Sequence, residues 1–236
     1  MDFYTLQTLL RKFNLKIFTL NDLIKITNQK KSVVQSKLTL LVKQKKIHRI
    51  KKGYYSLNRI ENKFQLQKVF KETYVGLHSA LEFYESTTQR FNNLDLITKN
   101  ILNEQKVLNT KIYFHKVKNE MFFGFKKELV NNTEIFISNI EKTIIDCIYF
   151  NSKVYLTDVV DFVKKYKDQI NIKLLKTYLD KINSSTLNKR IGYILEKQGI
   201  ILKDLEINNK YELLNINKSK IGLKSKKWKL IINEQI

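Results

Sequence analysis

Hydrophobic residues recur at helical spacing through the first part of the chain. One set predicts a helix close to the N-terminus and consists of Phe3, Leu6, Leu9, Leu10 and Phe13. A second, shorter helix is predicted within "FTLNDLIKITN", because the side chain of Thr19 or Asn21 can accept a hydrogen bond from a free backbone N–H of its first turn. A third helix is predicted over about 32–45, with Ser32 as its cap. Its inward stripe is Val34, Leu38, Leu41 and Val42.

The opposite side of the third predicted helix is polar and basic. The spacing of five residues places them on this one face of the helix: Ser32, Gln35, Ser36, Thr39 and Lys43. The flanking cations are Lys30, Lys31 and Lys37. Short polar side chains let a helix approach bases in the major groove, a glutamine can bond adenine through two hydrogen bonds, and cations meet phosphates. An ordinary solvated helix face has the same composition and remains an alternative at this point.

Two β-prone stretches, "KIHRI" and "YYSL", follow the third helix and are joined by "KKG". The glycine suits a tight turn, so a hairpin is predicted, with Arg49, Lys51 and Lys52 on or next to its tip. Of Tyr54 and Tyr55, one is expected to pack on the helices while the other is free to contact phosphate. Three helices followed by a basic hairpin is the order of a winged helix-turn-helix, which binds double-stranded DNA.

Charge separates this first region from the rest of the chain. The 236 residues include 44 Lys and Arg against 22 Asp and Glu, a formal net charge of +22. Residues 1–60 hold 14 of these cations and 2 of the anions, a balance of +12. More than half of the excess lies in a quarter of the chain. This asymmetry indicates a separate basic module, residues 1–58, with nucleic acid as the first expected partner and an anionic membrane surface as the second.

Other features of the sequence narrow the class of protein. No window approaches eighteen consecutive apolar residues, so no membrane-spanning helix is predicted. The opening Met1-Asp2-Phe3-Tyr4 lacks the basic-then-apolar form of a signal peptide. Cys147 is the only cysteine and lies in the helical apolar pattern "EKTIIDCIYF", so it is expected to be a buried small hydrophobe. A reducing cytoplasm is the expected location.

Residues 59–236 are predicted to form a mixed α/β partner domain, giving the chain an α+β fold class. Residues 59–70 are interpreted as a connection, followed by a helix at about 77–85. Short β-prone runs predict a small sheet: Leu94 to Thr98, Lys111 to Val117, Met121 to Lys126 and Glu134 to Ile137. Further helices are predicted at about 139–150, 156–167, 171–182 and 184–197, and late strands at "YELLNI" and "KWKLII".

No convincing catalytic constellation accompanies these elements. The three histidines, His48, His78 and His115, lie far apart and near no cysteine, so no metal site is predicted. There is no phosphate-binding glycine loop. "DLITKNILNEQK", with Asp95, Glu104 and Lys106, faintly resembles an endonuclease pattern that arises easily by chance in a lysine-rich chain. We therefore expect neither enzymatic activity nor a cofactor.

Two further basic segments are candidates for partner or nucleic-acid contact. Lys189 and Arg190 are predicted to open a helix, where they form either a basic patch or a solvated helix start. The last segment places Lys226, Lys227 and Lys229 around Trp228. A basic segment with an aromatic can add nonspecific nucleic-acid affinity, and a solvated edge strand guarded by lysines is the alternative. Gly192 is expected to permit close packing of its helix against a neighbour.

Four ordered segments carry a resemblance to a known family. They are "FTLNDLIKIT…VVQSKLTLLVKQKKIHRIKKGYYSLN", "YVGLHSALEFYE", "IFISNIEKTIIDCIYF" and "NKRIGYILEKQGI". The key residues in the last three are Ser79, Ala80 and Leu81, then Glu141, Lys142, Thr143 and Asp146, then Lys189, Arg190, Gly192, Tyr193 and Glu196. In this order the segments resemble the AbiEi-type antitoxins, the transcriptional regulators of AbiE abortive-infection systems. The match covers most of the chain to about residue 200.

The resemblance implies two activities that composition and spacing do not. One is repression through binding to repeats in the protein's own promoter. The other is an antitoxin role against a nucleotidyltransferase-like toxin, exerted through the C-terminal domain and not necessarily in a stable complex. The alternative from the residues alone is a winged-helix regulator whose second domain binds an unrelated ligand or partner.

Overall fold

The computed structural model describes residues 2–87 and 92–236, which form helices and several sheets in a mixed α/β arrangement. The α-helices are α1 (Phe3–Lys12), α2 (Leu20–Thr27), α3 (Lys31–Lys43), α4 (Leu77–Phe83), α5 (Ile140–Tyr149), α6 (Leu156–Lys165), α7 (Ile172–Ile182) and α8 (Ser185–Lys197). The strands are β1 (Ile17–Thr19), β2 (His48–Lys51), β3 (Tyr54–Ser56), β4 (Thr73–Val75), β5 (Asn93–Thr98), β6 (Gln105–Val107), β7 (Thr110–Lys116), β8 (Phe125–Val130), β9 (Thr133–Ser138), β10 (Glu212–Leu213), β11 (Leu223–Ser225) and β12 (Leu230–Ile232). Short 3-10 helices cover Lys63–Val69, Asn119–Met121 and Lys167–Gln169.

Local hydrogen bonds fix the ends of the first helices. The carboxylate of Asp2 accepts from the backbone N–H of Thr5 at 2.8 Å and caps α1. Of the two predicted caps for α2, Thr19 is the observed one, and it forms a reciprocal capping box with Asp22. Asn28 ends α2 in the left-handed conformation, which asparagine adopts more readily than most residues. The three predicted N-terminal helices are therefore confirmed.

Strands β1, β3 and β2 form an antiparallel sheet in that order, and the sheet lies between two cores. Successive side chains of a strand point to opposite faces. Phe18 faces the smaller core, which α1, α2 and α3 build with Leu6, Leu10, Leu23, Val34, Leu38 and Leu41. Ile17 and Ile50 belong to the larger core together with Phe64 and Leu66 of the following segment. Packing on both faces joins the N-terminal elements to the remainder of the chain.

The larger core is built on a six-stranded mixed sheet with the order β6-β7-β5-β4-β9-β8. Neighbours β5 and β7 are parallel, as are β4 and β9, while the other pairs are antiparallel. Helix α5 packs against this sheet and against α4, α6, α7 and α8. Every residue from Glu141 to Ile148 is buried, which is the burial expected of a central helix rather than a surface one.

The charged residues of α5 have partners inside the protein. Lys142 forms an ion pair with Asp146 one turn later, and both side chains are 0% exposed. The hydroxyl of Tyr74 donates to the second oxygen of Asp146 at 2.9 Å. Glu141 accepts the backbone N–H of Asn171 at 2.8 Å and so supports the start of α7. These buried charges are thus hydrogen-bonded, as buried polar groups require.

The last segment of the chain folds back on α8 and ends in a small sheet with the order β10-β12-β11. Trp228 lies directly against Gly192, where an added Cβ would overlap the indole ring. The indole N–H donates to the carboxylate of Glu196 one turn further along α8. The close packing expected at Gly192 is thus confirmed, and its neighbour is Trp228.

Replacing Gly192 with Ala is expected to destabilise the protein although Ala favours helices. The new methyl group must displace the indole of Trp228, and overpacking of this kind costs about 1–3 kcal/mol, more than the ~1 kcal/mol that Ala contributes to helix propensity. Because Trp228 is the single tryptophan, its fluorescence reports the displacement directly. Thermal unfolding and emission spectra of the two proteins test this. An unchanged melting temperature with unchanged emission would contradict this packing. The control is the double variant Gly192→Ala/Trp228→Leu, in which the indole that the new methyl group displaces is absent.

Some predicted elements differ from the structure. The strand expected over Met121 to Lys126 is wrong over its first four residues, because Met121 ends a 3-10 helix and β8 begins only at Phe125. Residues 59–70 are not a bare connection, since Lys63–Val69 is a 3-10 helix with Gln65 and Gln67 buried and hydrogen-bonded. Cys147 is buried, as expected. Within the described ranges, no helix is both long enough and apolar enough to cross a bilayer.

Candidate nucleic-acid interface

Helix α3 begins one residue earlier than predicted. Its N-cap is Lys30, whose side chain makes no capping hydrogen bond, and the predicted cap Ser32 lies inside the first turn. The expectation for Ser32 was wrong because Lys30 already has the extended backbone of a cap, with ψ 141°. The serine hydroxyl is therefore not required at the helix end and stays on the exposed side.

The two faces of α3 are separated as the hydrophobic pattern predicts. Val34, Leu38 and Leu41 are buried in the smaller core. The residues of the predicted polar face are all exposed: Ser32, Gln35, Ser36, Thr39 and Lys43. Lys30 and Lys31 are exposed at the start of the helix, and Lys37 is half-buried along its side. The structure thus brings the predicted α3 residues together on one surface that is framed by ammonium groups.

Two apolar side chains on this surface were not singled out by the sequence pattern. Val33 and Leu40 are 49% and 50% exposed, one helical repeat of seven residues apart. With Ser32, Ser36 and Lys37 they line a shallow depression on α3. The hydroxyl of Thr39 donates to the carbonyl of Gln35 at 3.0 Å, so its proton is used within the helix. The sequence did contain a signal, because neither Val33 nor Leu40 fits the inward stripe.

The predicted hairpin is present and turns at Gly53, whose φ of +85° is a conformation that favours glycine. Arg49 and Lys52 are exposed. The register shifts between Arg49 and Lys51, which marks a bulge in β2. Such a bulge re-aims the side chains that follow it.

Lys51 does not join Arg49 and Lys52 on the outer surface. Its ammonium group lies over the ring of Phe70, 4.3 Å from the centroid, and its Nζ donates to Gln105 at 3.4 Å. Partial burial lowers the pKa of Lys51. Lys51 is next to the hairpin tip in sequence, as predicted, but the bulge turns its side chain toward Phe70 and Gln105 and away from the exposed side of the hairpin.

Both tyrosines of β3 are used in packing, one on each face of the sheet. The ring of Tyr55 stacks on Phe18, with centroids 6.0 Å apart and planes inclined by 25°. Tyr54 packs against the larger core. The alternation of strand side chains explains why adjacent tyrosines serve different cores.

A basic groove runs along α2 and reaches the first residue of α3, between the N-terminal elements and the 3-10 helix Lys63–Val69. It has a volume of about 880 Å³. Lysines from both sides line it, namely Lys25, Lys31, Lys68 and Lys71, together with the carboxylates of Asp22 and Glu72. Sequence reasoning missed Lys68 and Lys71 because the pattern over residues 59–70 indicates only a connection. Their proximity to Lys31 depends on the packing of the two cores and has no local signal.

Lys189 and Arg190 do not form a surface patch. Both are buried, Lys189 completely, and they lie in the second turn of α8 rather than at its start. The ammonium group of Lys189 donates to Asn208 at 2.7 Å, to the carbonyl of Lys210 at 2.6 Å and to Glu212 at 3.0 Å. Arg190 donates to the carbonyl of Leu213 at 3.0 Å, and burial lowers its pKa. Both alternatives for this pair, a basic patch and a solvated helix start, are wrong, because the two side chains hold the returning chain against α8.

The lysines of the last segment have mixed positions. Lys226 and Lys227 are exposed, and Lys227 forms an ion pair with Glu196. Lys229 is half-buried beside Tyr211, 5.7 Å from the ring centroid. Strand β11 lies at an edge of its sheet, in line with the edge-strand alternative. Lys227 and Lys229 therefore contact Glu196 and Tyr211 of the second unit, residues 59–236, and not the surface of α3.

The faint endonuclease pattern is divided between interior and surface. Asp95 is buried and bonded to the hydroxyl of Ser79 and, at 2.8 Å, to Nε2 of His115. Glu104 and Lys106 are exposed. Across residues 2–87 and 92–236, no three His, Cys, Asp or Glu side chains are placed together to hold a metal ion.

Comparisons with known proteins bear on the fold. The chain is similar to a solved structure, the RV2827C protein from Mycobacterium tuberculosis, with a TM-score of 0.63 over 94% of this chain and 87% of that one. The two share 10% sequence identity, so the likeness concerns the fold alone. No protein-family model and no curated protein matches the chain.

Proposed function

We propose that the protein is a transcriptional regulator that binds double-stranded DNA through residues 1–58 and represses its own promoter. The observation that carries the proposal is the outer face of α3. It combines exposed hydrogen-bonding side chains, Gln35 among them, with surrounding lysines, and the helix contains no acidic residue. A helix that enters the major groove needs such a face, since bases are read by hydrogen bonds while phosphates are held by cations.

The order and pairing of the N-terminal elements support a winged helix as the DNA-binding module. Helices α1, α2 and α3 share the smaller core, and β2 and β3 form a hairpin directly after α3. In this arrangement α3 is the recognition helix and the hairpin, with Arg49 and Lys52, is the wing. Lys68 and Lys71 line one groove with Lys31, and in this proposal they extend the cationic surface and meet phosphates flanking the site.

The antitoxin part of the proposal rests on the resemblance to AbiEi-type regulators. In this role the unit from residue 59 onward opposes a nucleotidyltransferase-like toxin encoded beside the regulator, in the cytoplasm. The alternative is a regulator whose second unit serves an unrelated ligand or partner. Co-expression with the neighbouring gene separates the two. Rescue of growth by the full chain supports the antitoxin role. Growth arrest that persists when the full chain is present supports a regulator without an antitoxin role.

A competition gel shift tests DNA binding and its specificity. The full-length protein is titrated against the DNA upstream of its own gene, with random-sequence duplex as competitor, over a series of salt concentrations. Tight binding that resists competitor is the expected result. The Gln35→Ala variant should also bind a specific site about 1–3 kcal/mol more weakly, with little change in its affinity for random DNA. Weak binding that disappears with salt on every duplex would overturn sequence-specific repression and leave only general attraction to a polyanion.

A further inference from the structure

Val33 and Leu40 form an exposed apolar pair on α3 that lies outside both hydrophobic cores. Each keeps about half of its surface in water. Single exposed aliphatics are common on proteins. This pair differs because it lies within the face that carries Ser32, Ser36 and the lysines, and because it lines one depression with them.

The charges around Val33 and Leu40 limit which kind of partner can cover these two side chains. Lys37 lines the depression, and Lys30, Lys31 and Lys43 are exposed on the same helix or at its start, so a second copy of this helix would bring like charges together. An anionic partner with apolar groups at its surface fits both properties. In the major groove of DNA the only base edge that presents an apolar group is thymine, through its C5-methyl. Ser36 between the two aliphatics is small, which permits a close approach.

We propose that Val33 and Leu40 determine sequence specificity by covering thymine methyl groups, so that the protein selects operators with thymines at fixed positions. This inference rests on the proposed DNA-binding function and adds the chemical group that the site selects. Gln35, on the other edge of the same face, would bond adenine, and the two contacts together would select A·T pairs.

Replacing thymine with uracil removes the methyl group and leaves base pairing intact. The DNA upstream of the gene is amplified with either dTTP or dUTP, and the full-length protein is titrated against both products with random competitor. The wild-type protein is expected to bind the thymine DNA more tightly, by about fourfold for each methyl group that is covered. The variant Val33→Ala/Leu40→Ala is expected to bind both DNAs with nearly equal affinity. Ile221→Ala/Leu223→Ala, which truncates two exposed aliphatics elsewhere, is the matched control and should keep the wild-type ratio.

Each outcome has a separate meaning. Equal affinity of the wild-type protein for the two DNAs, with competitor-resistant binding, overturns the methyl contact and leaves DNA recognition standing. A ratio that persists in the Val33→Ala/Leu40→Ala variant assigns the effect to the DNA itself and also overturns it. Equally weakened binding to both DNAs with reduced self-association in sedimentation would assign the pair to an interface between copies. Failure to prefer the upstream DNA at all removes the regulator function, and this inference with it.

Discussion

Replacing Asp146 with Ala should lower the free energy of unfolding by about 3–5 kcal/mol, because it leaves the ammonium group of Lys142 buried without a counter-charge. Both side chains are inaccessible to solvent, and the hydroxyl of Tyr74 would lose its acceptor at the same time. Burial raises the pKa of Asp146, while the adjacent ammonium group and the hydroxyl act in the opposite direction. Chemical denaturation of the full chain measures the change.

An exposed pair in the same chain provides the control. Lys176 and Asp180 have the same residue types at the same spacing on α7, but they are 33% and 55% exposed. Removing Asp180 should change stability by less than about 1 kcal/mol, since exposed pairs are solvated and screened. The double replacement Lys142→Met/Asp146→Leu should recover much of the stability, because a buried pair can be exchanged for apolar residues of similar volume. Equal effects of Asp146→Ala and Asp180→Ala would contradict the assigned burial.

Removing the lysines around α3 should have the largest effect on DNA affinity. In the variant with Lys30, Lys31, Lys37 and Lys43 all replaced by Ala, the slope of log affinity against log salt should fall by about 0.9 for each phosphate that the protein no longer neutralises. Binding should weaken on every duplex, because phosphate contacts carry no sequence information. Titrations at several salt concentrations give the slope.

A control variant must remove the same charge from another surface. Lys164, Lys167, Lys173 and Lys203 are exposed on the second unit, and their replacement by Ala changes the net charge by the same amount. This variant should keep most of the salt slope. If the slope falls equally in both variants, the interaction follows net charge rather than a defined interface, and α3 has no special role.

The N-terminal helices could be predicted closely from the sequence because their signals are local. The inward stripe of α3 and the cap at Thr19 are set by residues within one or two turns. Strand β1 was missed because three residues give too short a pattern, and its pairing with β3 joins positions almost forty residues apart. The direction of Lys51 and the groove with Lys68 and Lys71 depend on the packing of the two cores, which no local pattern contains.

The residues that carry the family resemblance in the second unit belong to its framework. Ser79 bonds to Asp95, Lys142 pairs with Asp146, and Lys189 holds the returning chain. The sequence predicts Lys189 and Arg190 as surface cations because lysine and arginine are rarely buried. Their burial follows from acceptors about twenty residues further along the chain, whose return to α8 could not be predicted from the sequence.

The small sheet between the two cores has a consequence for how the protein can be divided. A cut after Asn58 would remove the surface that covers Ile17, Ile50 and Tyr54, so residues 1–58, the proposed DNA-binding region, would lose part of their packing as a separate fragment. The hairpin and the segment from Lys63 to Phe70 share one seam. A molecule that bound the second unit and shifted this segment would therefore shift the hairpin as well, and under the proposed function it would change the affinity for DNA.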